Sequence, residues 1–186
     1  MPELALHILD LVQNSVSAGA TLVVVTIAWN TAEDTLTIVI EDDGKGMAPE
    51  LLQRVTSPFT TTRTTRKVGL GIPLFKQLAE MCEGGLTLDS TVGKGTTLTA
   101  RFRASHVDLP PLGDLKGTIE TLVIACPEKP EFRFVYRVDE EEFVFDTATV
   151  REAVGGLPLG EPEIVAWIGQ FVAEGIEQVQ RARGES

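Results

Sequence analysis

Apolar residues recur at helical spacing in the opening stretch. Plotted at about 100° per residue, Leu4, Ile8, Leu11, Val12 and Val16 fall on one broad arc, the pattern of a core-facing helix over residues 4–17. Glu3, His7, Asp10, Asn14 and Ser17 fall on a narrow stripe away from it. A solvated stripe would carry Lys, Glu and Gln; this one has a single Glu and no Lys. Asp10 and Asn14, at i and i+4, point the same way. Their short side chains suit fixed coordination of a cation; the alternative is an unusual surface stripe.

Ala18-Gly19-Ala20 stops the helix. Residues 21–29, with Val23, Val24 and Val25, predict a strand, and residues 35–41 a second one alternating Leu36, Ile38 and Ile40 with Thr35, Thr37 and Val39. The pair reads as a hairpin that runs directly into Asp42-Asp43-Gly44-Lys45-Gly46-Met47. Pro49 opens a short helix to about Arg54. Residues 56–68 hold six threonines, three basic residues and no apolar period, and read as a long mobile loop of functional type. Gly69-Leu70-Gly71 ends it. A helix is expected over 72–81, and strands 86–90 and 96–104 are joined by Thr91-Val92-Gly93-Lys94-Gly95. Pro110, Pro111 and Gly113 mark residues 106–117 as a linker between a first unit, 1–105, and an extension, 118–186. In the extension, residues 118–125 read as a strand, and 131–138 with 142–145 as a hairpin with an aromatic side. Thr149-Val150-Arg151-Glu152 resembles a capping box, and 162–181 a last amphipathic helix.

Charge narrows the ligand class. A net charge of −11 makes nucleic acid an unsuitable partner. Yet Arg54, Arg63, Arg66 and Lys67 sit within fourteen residues, as a small anionic ligand would require. The two cysteines fit neither a metal-ligand spacing nor a disulfide framework, and no apolar run reaches membrane-spanning length. The expectation is a cytoplasmic protein with free thiols.

Glycines that lead into a helix, as Gly69 and Gly71 do, turn backbone N–H groups toward a bound anion. Asp42 ends an apolar strand beside residues without side chains. A carboxylate there can accept a hydrogen bond from an exocyclic amino group while Gly44 and Gly46 let a flat ring approach. Together the features describe a purine at one end, a polyphosphate at the other and a magnesium ion between phosphate and Asn14.

These motifs, in this order, resemble the ATP-binding fold shared by gyrase B, the ninety-kilodalton heat-shock chaperone, histidine kinases and MutL. Asp10-Leu11-Val12-Gln13-Asn14-Ser15 resembles the Asn box and Asp42 to Met47 the first glycine box. Ser57-Pro58-Phe59-Thr60-Thr61-Thr62 resembles the start of the ATP lid in histidine kinases. Val68-Gly69-Leu70-Gly71-Ile72 is similar to the second glycine box, and Gly93-Lys94-Gly95-Thr96 to the final glycine–threonine box. The resemblance covers residues 3–104. It implies an α+β fold, a two-layer sandwich of the Bergerat type, with a mixed, mainly antiparallel sheet covered by helices on one face and a small ββα-like C-terminal extension. It implies ATP and Mg²⁺ as ligands, with Asn14 on the metal, Asp42 on the adenine amino group and Thr96 supporting the adenine through Asp42 or a water. Gly44, Gly46, Met47, Phe59, Thr60, Thr61, Lys67, Val68, Gly69, Leu70 and Gly71 complete the implied nucleotide contacts.

The departures bear on activity. The general-base Glu of the family's ATPases is Asp10 here, one methylene shorter. Lys67 stands where the second glycine box begins with Gly; it pairs with a phosphate or is a solvated lid residue. Asp43 replaces a common Asn. Nothing resembles the phospho-accepting helix pair of a sensor kinase, and His7 sits on a helix too rigid for that task. Two functional expectations follow, each with a protein partner and neither with membrane or nucleic acid. One is a stand-alone kinase whose partner is the phosphoacceptor, and the other an ATP-dependent conformational switch with little turnover.

Overall fold

Valine, isoleucine and tryptophan at every second position give the chain its central strand, β1 (Leu22–Asn30), in which Val23, Val25, Ile27 and Trp29 are buried. A computed structural model describes residues 3–56 and 70–184. β1 pairs antiparallel with β2 (Thr35–Asp42), whose Leu36, Ile38 and Ile40 point to the same covered face. β3 (Gly85–Thr91) and β4 (Gly95–Arg103) form the expected hairpin, and β4 lies against β2. β5 (Glu131–Val138) runs parallel to β1 on its other side, and β6 (Glu141–Asp146) closes the row, giving the order β3-β4-β2-β1-β5-β6. The sheet is mixed and mainly antiparallel. Its buried face is covered by α1 (Leu4–Ser17), α3 (Gly71–Met81), α4 (Leu115–Ala125) and α6 (Pro162–Gln180). Two short helices, α2 (Pro49–Val55) and α5 (Thr147–Ala153), complete the chain. Among the described residues no helix is long and apolar enough to cross a membrane.

One predicted element is of the wrong type. Residues 118–125, expected as a strand, belong to helix α4. Its buried positions Leu115, Thr118, Ile119, Leu122 and Val123 follow a helical period that starts inside the expected linker. Asp114 caps it, accepting from the Gly117 amide at 2.8 Å. The β-branched run Thr118 to Ile124 carried the strand signal, and tertiary packing overrode it. Helix α5 likewise begins three residues before the capping-box reading, with the Asp146 side chain accepting from the Ala148 amide.

The expected boundary crosses a continuous core. Trp29 Nε1 of β1 donates to the Tyr136 hydroxyl of β5 at 3.0 Å, and Phe132, Phe134, Tyr136 and Phe145 are buried in the same cluster as Leu4, Ile8 and Phe75. The aromatic side of the last hairpin packs on α6, with Phe143 and Phe171 ring centroids 5.3 Å apart. Helix α1 has no side-chain N-cap. Its first two amides are satisfied from the linker instead, Leu4 N by the Pro111 carbonyl at 3.0 Å and Ala5 N by that of Leu112 at 2.8 Å. Urea unfolding followed by Trp29 emission (in a Trp167→Phe background) and by far-ultraviolet circular dichroism is expected to give one coincident midpoint; two separated transitions would contradict a shared core.

Candidate functional site

The second half of α1 and the end of β2 meet at one cavity. It is about 260 Å³, at the small end for ligand pockets. Asn14 from α1, Asp42 from β2, Gly46 and Met47 from the turn and Thr96 from β4 all line it. Its walls are apolar: Leu11, Ile40, Leu51, Ile72, Leu88 and Leu98. A flat, largely apolar ring with a few hydrogen-bonding edges fits such a chamber, while a long charged tail has to leave through its mouth.

Asp42 is held from two directions. Ser15 Oγ donates to Oδ2 at 2.6 Å, and the Gly44 amide donates to Oδ1 at 2.9 Å. Each carboxylate oxygen keeps a second lone pair for a ligand donor. Ser15 is a residue that sequence reasoning missed. It is only 4% exposed, and a buried hydroxyl needs a partner; its place beside Asn14 was the available signal. Thr96, expected to support the adenine through Asp42 or a water, lines the cavity and has its hydroxyl 2.8 Å from that of Ser90. Ser90 also accepts from the Met47 amide at 2.8 Å, so the pair ties the turn to the β3–β4 hairpin.

The turn itself is clamped on both sides. Lys45 N donates to the Ala18 carbonyl at 2.9 Å, and Gly93 N donates to the Lys45 carbonyl at 2.8 Å. Lys45 also lines the cavity, another residue without an assigned role in the sequence reading. At Gly46 (φ +70°) a Cβ would run into the Thr91 carbonyl, and at Gly95 (φ +125°) into the carbonyl of Asp42. Asp43 gains a structural explanation. Its carboxylate accepts from the Thr21 hydroxyl and from the amides of Thr21 (2.7 Å) and Leu22 (3.0 Å) at the start of β1. The Thr21 hydroxyl, more than the amides, holds its pKa below the ordinary carboxylate value.

The other expected residues divide into two groups. Asp10 lies outside the cavity lining, exposed on α1, with its carboxylate against Gly71, where a Cβ would collide with it. Gly71 is the first residue of α3 and Leu70 its exposed N-cap; Ile72, next along, reaches the cavity. His7 stacks near Phe75, ring centroids 5.4 Å apart, where burial lowers its pKa against the opposing pull of Asp10. Phe59, Thr60, Thr61, Lys67, Val68 and Gly69, and the loop reading for 57–68, lie outside the described residues. Among the described residues no group of three or more His, Cys, Asp and Glu can hold a metal ion. The single amide of Asn14 fits a magnesium ion that takes its remaining ligands from phosphate and water, and does not fit a metal held by protein alone.

Residues 2–106 match the family described as histidine kinase-, DNA gyrase B- and HSP90-like ATPases. The histidine protein kinase DivJ of Caulobacter vibrioides is 31% identical over 99 residues, covering 51% of this chain and 17% of that protein. The non-motile and phage-resistance protein of the same organism is 32% identical over 110 residues, covering 54% and 13%. The chain thus spans well under a fifth of the length of either relative. A crystal structure of the N-terminal domain of a DNA repair protein superposes with a TM-score of 0.54 at 16% identity, over 77% of this chain and 52% of that one, a likeness of fold alone.

Gly95→Ala is expected to destabilise the chain by about 3 kcal/mol or more, since backbone has to move at Asp42. Gly93→Ala, at φ +80° with open space around it, is expected to cost about 1–2 kcal/mol. Denaturant midpoints of the two variants check this; equal losses would contradict the close approach at Asp42.

Proposed function

Because the chain belongs to the family of histidine kinase-, DNA gyrase B- and HSP90-like ATPases, we propose that it binds Mg-ATP in this cavity and passes the γ-phosphoryl group to a separate protein. The observation that carries the reading is the convergence of Asn14 and Asp42 on one apolar-walled chamber. Asp42, preset by Ser15 and Gly44, accepts from the adenine amino group. Gly46 gives the ring access to the backbone, and Met47, Ile40 and Leu98 enclose its faces. The phosphates leave toward Gly71, whose position at the start of α3 offers backbone N–H groups and a favourable helix dipole. Asn14 holds the magnesium ion, which neutralises phosphate charge when bound.

The Asp10 carboxylate, one methylene shorter than the family's base, suits a kinase better than a hydrolase. A kinase needs no built-in base to activate water, because the partner brings the nucleophile. A second reading, an ATP-dependent switch with little turnover, is supported by the strap at Pro111 and Leu112, which ties the Asn14-bearing helix to the C-terminal region.

Mg-ATP at 100-fold over its dissociation constant is expected to stabilise the chain by about 2.7 kcal/mol in a thermal-shift titration. Asp42→Asn is expected to abolish the shift, and Asn14→Ala to remove its magnesium dependence. No shift, or one that survives Asp42→Asn, would remove the nucleotide reading. With γ-labelled ATP and cell extract, label on a discrete protein supports the kinase; tight binding without label or released phosphate supports the switch.

A further inference from the structure

At the far end of the sheet from the cavity, β6 is an edge strand, and the side chains beside it are not those of a quiet surface. Trp167 is 52% exposed, Val144 42% and Phe171 39%. The Trp167 and Phe171 rings stack with centroids 5.2 Å apart and planes 6° from parallel, so the pair forms a flat apolar shelf. Together with Val135, Val150 and Ala153 these side chains line a groove of about 430 Å³ between β6, α5 and α6. Exposed aromatic residues grouped around an open sheet edge are characteristic of an interaction site.

Charge defines the occupant. Neither β6 nor α6 contains Lys or Arg, while β6 carries Glu141, Glu142 and Asp146. On α6, Glu163, Trp167, Phe171 and Glu174 are spaced i, i+4, i+8 and i+11, so acidic residues bracket the aromatic shelf along one stripe. Arg133 and Arg137 also line the groove, and both are paired there: Arg133 donates to Asp146 at 3.0 and 2.9 Å, and Arg137 to Glu142 at 3.0 and 2.6 Å. A second copy of the chain would bring the carboxylates outside those pairs, Glu141, Glu163 and Glu174, against this rim, which like-charge repulsion opposes. Some edge strands carry charge to prevent pairing. Here the acidic ends flank an apolar centre, a pattern that selects a partner as well as excluding self.

We propose that this groove binds an extended segment of another protein, apolar in alternate positions and carrying Lys or Arg between them, which adds to β6 as a further strand. Main-chain hydrogen bonds to the edge would supply affinity, the Trp167–Phe171 shelf would take an apolar side chain, and Glu163 and Glu174 would meet its basic residues. The site is separate from the nucleotide cavity and does not rest on it.

The test uses the full chain and a labelled, acetylated peptide alternating Lys and Val, followed by fluorescence anisotropy. Saturable binding is expected, weakened about tenfold by Trp167→Ala. It is expected to be lost when alternate peptide amides are N-methylated, and absent for the same peptide with Glu in place of Lys. The double variant Glu163→Gln/Glu174→Gln, on an exposed helix face, is expected to weaken binding several-fold with an unchanged circular dichroism spectrum. Absence of binding by the Lys–Val peptide overturns the proposal. So does equal binding by both variants, by the N-methylated peptide or by the Glu–Val peptide. Sedimentation showing a dimer that Trp167→Ala dissociates also overturns it, in favour of a second copy.

Discussion

The Asp42 carboxylate sits on the last residue of β2, and both its oxygens are fixed before any ligand arrives, one by the Ser15 hydroxyl and one by the Gly44 amide. A side chain with no rotational freedom to lose binds a donor more tightly than a mobile one. The geometry depends on three elements keeping their places. Helix α1 supplies Ser15, the turn from Asp42 to Met47 supplies Gly44, and the β3–β4 hairpin braces the turn through Ser90, Thr91 and Gly93. Gly46 and Gly95 are required because the backbone packs where a Cβ would stand.

The C-terminal third acts on the same site from behind. β5 adds to β1 in parallel, so the strand next to the site-bearing β2 is paired on both sides. The carbonyls of Pro111 and Leu112 satisfy amides at the start of α1, and so the helix that carries Asn14 and Ser15 is anchored by the segment leading into α4. The family match ends at residue 106, and beyond it the chain continues the sheet and core of the matched part. Helix α1 packs on α4, α4 on α6 and α6 on β6, so the site-bearing helix and the β6 edge belong to one packed series.

Much of this was legible in the sequence because short-range patterns set it. The polar stripe on α1, the alternation in β1 and β2, and the glycines flanking regular elements each carry their own local signal, and the cavity is lined by Asn14, Asp42, Gly46, Met47 and Thr96. What was not legible depends on distant parts of the chain. The strand reading of residues 118–125 failed because their β-branched composition was outweighed by packing of a helical face starting at Leu115. Ser15 and Ser90 have partners far along the chain; only the fold sets one against Asp42 and the other between Met47 and Thr96. Asp43 looked like a departure from the glycine box, yet its carboxylate fastens the start of β1.

The central claim, that the Asp42 carboxylate reads an adenine while Asn14 faces the phosphate end, is tested most directly by a crystal structure with a non-hydrolysable ATP analogue and magnesium. The account expects the exocyclic amino group within hydrogen-bonding distance of Asp42, the ring between Met47 and Leu98, and the Asn14 amide on the metal. An analogue bound elsewhere, or one whose base points away from Asp42, would contradict it.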